Sequence, residues 1–166
     1  MYYEKTINKI IIMAFFIIMS CTTFITASPI TESNSNPVIE VIQLNNGDYI
    51  EITIEESTSP ISLLATTQIK SGRKTAAYKN SAGTIMWSVT VHGTFSYVKG
   101  VSSKCTKSTV TTTCPSSSWK ITNSSATRSG NTATSKATAK KYVDGTAVDT
   151  ITRSISLSCS KNGTLS

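Results

Sequence analysis

The sequence predicts an all-β protein, an antiparallel Ig-like β-sandwich of about seven strands. Apolar and polar residues alternate from residue 75 onward, and no window there shows the period of a helix. Threonine and serine dominate residues 101–160, and β-branched threonine suits a half-exposed pleated surface. Turn signals that contain glycine or proline interrupt the alternation at short intervals, as expected for short strands joined by hairpins.

The predicted strands lie between these turn signals, near residues 75–79, 84–98, 101–105, 108–114, 118–128, 131–143 and 146–159. The clearest strand is TIMWSVTVHGTFSYV, in which Trp87 lies on an apolar face and His92 on the opposite, polar face. Gly93 interrupts this strand and predicts a bulge or a bend. The predicted core comprises Ile85, Trp87, Val89, Val91, Phe95, Tyr97, Trp119, Ile121, Ile151, Ile155 and Leu157.

The register of the last hairpin is predicted from its apolar residues. A two-residue loop at Asp144-Gly145 would place Ala137 and Ala139 on the face opposite Ile151. A three-residue loop, with Gly145 in the left-handed region, shifts the pairing by one and gathers the alanines with the isoleucine. Burial of apolar area on one face, at about 25 cal/mol per Å², favours the three-residue loop.

The N-terminus predicts an export signal, assigned to residues 1–27. Positive charge precedes an apolar run over residues 10–19, which is shorter than the roughly 20 residues that a membrane span needs. Cleavage after Ala27 would release the protein. Lipidation at Cys21 is an alternative because IMSC resembles a lipobox, and a retained membrane anchor is the third interpretation. We expect a secreted or cell-surface protein with no transmembrane span after processing.

The charge distribution divides the rest of the chain in two. Residues 28–69 hold six acids and no Lys or Arg, whereas fourteen bases and two acids follow from Lys70 onward. We therefore predict an acidic leader over residues 28–70 and a Ser/Thr-rich basic β-sandwich domain over residues 71–166. Halves of opposite charge either attract each other or face different partners. The Ser/Thr-rich residues 57–74 predict a linker.

The leader contains a predicted β-hairpin, VIEVIQLNNGDYIEITIEE. Asn46-Gly47 is a strong hairpin signal because both central residues of a type I′ turn need positive φ. A two-residue loop there places Ile39 and Val41 on the same face as Ile50. An isolated hairpin is marginal in water, so we expect this one to pack on the basic domain.

A basic exported domain predicts an anionic partner. The sequence contains no nucleic-acid motif and its charges are spread singly, so nucleic acid is not expected. We expect an anionic cell-wall polymer or a surface carbohydrate instead. The densest basic patch, a candidate polyanion site, consists of Lys136, Lys140, Lys141 and Arg153. The same lysines would also suit the protection of a sheet edge.

No catalytic or metal site can be assembled from the sequence. His92, the only histidine, shares its face with serines, threonines and Met86 rather than with carboxylates or cysteines. The many serines lack a strained G-x-S-x-G elbow, and there is no C-x-x-C motif. We predict a non-enzymatic protein without cofactor or metal, in which His92 is an exposed strand residue.

Three cysteines follow the signal segment, and an exported protein can form disulfides. A bond between Cys105 and Cys159 would enclose a loop of about 55 residues and stabilise the fold by about 4 kcal/mol in the chain-entropy model. A bond between Cys105 and Cys114, across a short loop, is the alternative. One thiol remains unpaired in either case.

Several segments resemble a known family: KTAAYKNSAGTIMWSVTVHGTFSYV, SSKC, SSSWKI, RSGNTATSKATAKKY and LSCSKNGTLS, together with the acidic GDYIEITIEES. They are similar to small secreted proteins of Gram-positive bacteria with an acidic leader hairpin and a Ser/Thr-rich β domain. The resemblance covers residues 74–166 and implies two cysteines, which match Cys105 and Cys159, with Cys114 as an addition. It implies export and fold, but no activity.

Two functions from different classes are consistent with these features. The first is an exported, non-enzymatic β-sandwich that acts by contact or binding at the cell envelope or outside the cell. The second is a bacteriocin-like or toxin-like effector whose acidic leader masks the basic domain until proteolysis. The N-terminus of the protein outside the cell discriminates between them, since it would lie near Ser28 in the first case and near Ser71 in the second.

Overall fold

The structure is a computed structural model and describes residues 38–57 and 66–166. The predicted signal segment, the lipidation candidate Cys21 and the first part of the leader lie outside the described residues. Everything described belongs to one structural unit, Ser35–Ser166. Among the described residues, no helix is long and apolar enough to cross a membrane.

The described residues form eight strands, all paired antiparallel, and contain no helix. The strands are β1 (Val38–Gln43), β2 (Tyr49–Ser57), β3 (Gln68–Lys79), β4 (Ile85–Val98), β5 (Ser102–Thr113), β6 (Trp119–Ser129), β7 (Thr132–Val143) and β8 (Thr146–Ser158). One sheet has the order β1-β2-β3-β4-β5 and the other has the order β6-β7-β8. The sheets face each other across a shared core, so the predicted all-β sandwich is confirmed.

The core is built from alternate residues of facing strands, as the periodicity predicts. β4 contributes Trp87 and Phe95, and the C-terminal half of β8 contributes Leu157, each at most 1% exposed. Tyr78 and Trp119 meet Trp87 at one end of the sandwich, with ring centroids 5.3 to 6.4 Å apart. The core also includes residues outside the predicted set: Ile50, Ile52, Ala76, Tyr78, Cys105, Ala133, Ala137, Ala139, Cys159 and Leu165.

Ile85 was assigned to the core and this prediction is wrong. Its side chain is 40% exposed, and its residue pairs with Lys79 at the end of the sheet, where a register shift ends the regular ladder. The alternation of buried and exposed residues predicted for β4 therefore matches the structure from Trp87 onward. The register shift leaves Met86 as an extra residue of β4 and places Ile85 beside Lys79 on the outer face of the sheet.

β5 is one continuous strand where the sequence predicts two, at residues 101–105 and 108–114. Thr94 pairs with Lys107 and Phe95 pairs with Cys105, so Thr106 is an extra residue in a β-bulge. The Thr106 hydroxyl donates to the Thr94 carbonyl at 3.0 Å. The bulge interrupts the alternation without ending the strand, which explains the incorrect division.

The register predicted for the first hairpin is wrong by one residue. Gln43 pairs with Tyr49, and the Leu44 N–H donates to the Asp48 carbonyl at 2.9 Å, so the loop has three residues and ends at Gly47 with φ of 84°. Ile42 therefore shares the core face with Ile50, and Val41 is 48% exposed on the other face. The Asn-Gly signal fits both loop lengths, and packing of Ile42 and Leu44 against the core favours the longer one.

The loop of the last hairpin is shorter than predicted. It has two residues, Asp144 and Gly145, with φ of 48° and 80°, and not the predicted three. A bulge at the register shift after Lys141 then moves the pairing by one, so that Ala139 lies opposite Ile151. The alanines and isoleucines share the core face, as predicted, but the adjustment lies within the strand and not in the loop.

The acidic hairpin is part of the larger sheet. β2 pairs with β3 over nine residue pairs, and β3 begins at Gln68, inside the segment predicted to be a linker, so the linker prediction is wrong there. Three cross-strand ion pairs connect the two strands: Lys70–Glu56, Arg73–Glu55 and Lys79–Glu51. The side chains of these pairs are partly exposed, and surface ion pairs contribute about 0.2–1 kcal/mol each. The acidic residues of the leader thus form ion pairs with basic residues of the following domain. The domain boundary predicted at residue 70 falls inside β3.

Candidate functional site

His92 lies on the outer face of the five-stranded sheet and is half-buried there. Its Nε2 lies 2.7 Å from the Thr111 hydroxyl on β5. With Thr94, Lys107 and Thr109, these two residues line a groove of about 380 Å³. Within the described residues, no three His, Cys, Asp or Glu side chains come together in a way that could hold a metal ion.

The pKa of His92 is lowered from its usual value of 6.5, first by burial and then by the positive charge of Arg73, against a raising effect of Glu55. Because the unfolded chain binds the proton more tightly, this group's contribution to stability is complete above pH 6.5. It declines as the pH falls from 6.5 toward the folded-state pKa. The imidazole is therefore neutral in the folded protein at neutral pH.

The single histidine makes this shift directly measurable by imidazole proton NMR. We expect a titration midpoint below 6.5, which rises in Arg73→Gln and falls further in Glu55→Gln. Lys74→Gln is the matched control, since Lys74 lies on the same strand with its side chain on the core side of the sheet, opposite Val91. A wild-type midpoint at or above 6.5 would contradict the described burial of the ring.

The four residues of the predicted polyanion patch do not share one face. Lys136 and Lys140 lie on the outer face of the three-stranded sheet, between buried neighbours on β7. Lys141 lies opposite the buried Trp119, and Arg153 lies opposite the buried Ala137, so both belong to the core-facing rows. Since β7 is the central strand of its sheet, Lys136 and Lys140 do not line an edge.

The structure adds Lys120 to the outer face. Lys120 on β6 pairs directly with Lys140 on β7, and its Nζ lies 5.2 Å from the centroid of the Tyr142 ring. We call the outer face of β6, β7 and β8 the lysine face, after Lys120, Lys136 and Lys140. Only the register between β6 and β7 reveals this pairing, and a bulge after Ile121 makes that register hard to predict from sequence.

Hydroxyl groups fill the rest of the lysine face. Thr134 bonds to Ser156 at 2.8 Å and Thr138 bonds to Thr152 at 2.9 Å, each pair spanning β7 and β8. The three strands contribute no carboxylate to this face, because Asp149 pairs with Lys141 on the core-facing side. The lysine face is therefore basic and able to donate hydrogen bonds, with no internal counter-charge.

The three described thiols, those of Cys105, Cys114 and Cys159, are free in the structure. Cys105 and Cys159 are buried in the same core cluster. Their backbone N–H groups donate to consecutive carbonyls of one turn, Cys105 to Gly130 at 2.8 Å and Cys159 to Asn131 at 3.0 Å. Burial raises the pKa of the Cys105 and Cys114 thiols, which keeps both protonated at neutral pH.

Comparison with known proteins gives no match, whether with family models, with curated protein sequences or with solved structures. The resemblance to secreted proteins of Gram-positive bacteria remains a prediction.

Proposed function

We propose that this is an exported, non-enzymatic protein that binds anionic polymers at the cell envelope through its lysine face. The observation that carries the proposal is the direct cross-strand pair of Lys120 and Lys140 on a face without carboxylates. Like charges directly opposite each other destabilise a sheet. A bound phosphate or carboxylate between the two ammonium groups removes this repulsion, so the pair favours an anionic ligand.

The surrounding groups support an extended ligand. Lys136 precedes Lys140 along β7 with Thr138 between them, so ammonium and hydroxyl groups alternate on the lysine face. Outer-face positions on one strand are about 6.7 Å apart, which places these two lysines roughly 13 Å from each other. A linear polyanion lying along β7 would contact a lysine ammonium group at each end of this span and hydroxyl donors between the two lysines. Export rests on the predicted signal segment, residues 1–27.

The alternative of a toxin-like effector released near Ser71 receives less support. Ser71 lies within β3 and pairs with both Ser57 on β2 and Thr94 on β4. Cleavage there would divide a central strand and remove two strands of the larger sheet. Sequencing the N-terminus of the protein outside the cell tests this point, since we expect a start near Ser28.

We further propose that Cys105 and Cys159 form a disulfide in the exported protein. Their N–H groups bind neighbouring residues of one turn, and both side chains belong to the same core cluster. Cys114 is then the unpaired thiol.

The binding proposal predicts salt-sensitive retention on immobilised polyphosphate and no retention on neutral dextran. Replacing both Lys120 and Lys140 by glutamate should weaken binding by roughly tenfold or more, because repulsion replaces attraction at the paired site. The lysines are at the surface, so the circular dichroism spectrum should be unchanged.

The matched control replaces Lys99 and Lys161 by glutamate, since both are exposed and lie outside the lysine face. This control changes the net charge by the same amount and should keep most of the binding. Equal losses in the two double variants would mean that net charge alone drives retention. That result, or full retention of Lys120→Glu with Lys140→Glu, would overturn the proposal.

A further inference from the structure

Two clefts meet at Lys107 on β5, one on the outer face of the five-stranded sheet and one at the seam between β5 and β6. The first is the groove of about 380 Å³ that contains His92, Thr94, Thr109 and Thr111. The second, of about 290 Å³, lies at the seam between β5 and β6, and its lining includes Thr106, Ser108, Ala126, Thr127 and Arg128. Lys107 lines both, and we call the pair the Lys107 clefts. Binding sites for small molecules begin at about this size.

The β-bulge at Thr106 brings together Lys107 and Arg128, the two basic residues of the seam cleft. Thr106 is the extra residue between Cys105 and Lys107, and bulges commonly redirect neighbouring side chains. The guanidinium of Arg128 on β6 donates to the Thr106 carbonyl, which holds it beside the bulge. An arginine has five N–H donors, so most of them remain available to a ligand.

The two clefts differ in chemistry. The seam cleft has two cations, Lys107 and Arg128, and neither cleft is lined by a carboxylate. The groove presents three threonine hydroxyls together with His92, whose depressed pKa leaves it uncharged at neutral pH. One end of the combined site therefore suits an oxyanion, and the other suits neutral hydroxyl groups.

We propose that the Lys107 clefts bind a sugar that carries a phosphate or sulfate monoester. The tetrahedral oxyanion lies between Lys107 and Arg128, and the ring hydroxyls lie in the groove against His92 and Thr109. The two cations of this site do not belong to the lysine face, because Lys107 lies on the five-stranded sheet and Arg128 pairs with the buried Ala133, in the core-facing row of β6. Neither cleft is lined by an aromatic ring other than the imidazole, so hydrogen bonds rather than stacking select the ligand.

The test is a ¹H–¹⁵N NMR titration of the full chain, as processed by the expressing cell, with glucose 6-phosphate, glucose 6-sulfate, glucose and inorganic phosphate. We expect both sugar esters to shift resonances of His92 and Lys107, with a dissociation constant on the order of 1 mM for an open site with few contacts. Glucose and inorganic phosphate should each bind about fivefold more weakly, because each occupies only one end of the site. The ratio of the two ester affinities identifies the preferred oxyanion.

Lys107→Gln should weaken the sugar-ester binding by about fivefold or more. Lys104→Gln is the matched control on the same strand, since Lys104 is exposed and lines neither cleft, and it should bind like the wild type. Unchanged affinity in Lys107→Gln, or inorganic phosphate binding as tightly as glucose 6-phosphate, would overturn the proposal. Retention of Lys107→Gln on polyphosphate reports on the lysine face separately, so the two proposals can fail independently.

Discussion

Replacing Gly72 by valine is expected to lower the free energy of unfolding by about 3 kcal/mol, because the interior has no room for the added carbons. Gly72 faces Gly93 across the β3–β4 ladder. A Cβ at Gly72 would lie 2.7 Å from the backbone carbonyl oxygen of Glu55 and in still closer contact with the Leu165 side chain. The leucine can move, but the carbonyl belongs to the β2–β3 ladder and cannot.

Urea unfolding followed by tryptophan fluorescence measures this effect, since Trp87 and Trp119 are both buried. Ser71→Val introduces the same side chain one residue earlier, on the outer face, where it loses only the hydrogen bond of Ser71 to Thr94. The control should change stability by no more than about 1 kcal/mol. Equal destabilisation by the two variants would contradict the predicted steric clash at Gly72.

Oxidation of the refolding chain by glutathione disulfide is expected to join the sulfurs of Cys105 and Cys159 and to raise the free energy of unfolding by about 4 kcal/mol. One thiolate attacks glutathione disulfide and releases one glutathione. The second thiolate then attacks the mixed disulfide and releases another, so two electrons and two protons pass to glutathione. The gain arises mainly because the bond closes a loop of about 55 residues in the unfolded chain.

Oxidation should accompany refolding, because burial raises the pKa of the Cys105 thiol and slows its reaction in the folded state. Non-reducing peptide mapping identifies the bond, and urea unfolding with and without reductant measures its effect. Cys114→Ser should gain the same stability on oxidation, whereas Cys159→Ser should lose the gain. A Cys105–Cys114 peptide, or equal unfolding curves for oxidised and reduced protein, would refute the pairing.

The strands were predictable wherever one face of the sheet is covered along its whole length. β4 is the clearest example, since Trp87 and Phe95 are almost fully buried and His92 and Thr94 lie on the other face. Prediction was incorrect where a bulge reverses the alternation, as at Ile85, which pairs with Lys79 on the outer face. It also failed at the start of β3, where the residues QIKSGRK show no alternation of apolar and polar side chains.

The candidate sites were harder to predict than the fold. Lys136 and Lys140 could be placed together because they lie on one strand four residues apart. Their neighbour Lys120 is distant in sequence, and the bulge after Ile121 decides which residue of β7 it pairs with. Lys107 and Arg128 meet for a similar reason, at the bulge of Thr106. A bulge adds one residue and reverses the face of everything beyond it.

By itself, the sequence determined that this chain forms antiparallel β-structure with one apolar face per strand, because the two-residue alternation is a local property of each strand. Only the tertiary structure decided the registers of the two hairpins, the incorporation of the acidic hairpin into the larger sheet and the grouping of the lysines. The physical reason is that turns and bulges of nearly equal local energy shift the register by one residue. Packing across the core selects among them.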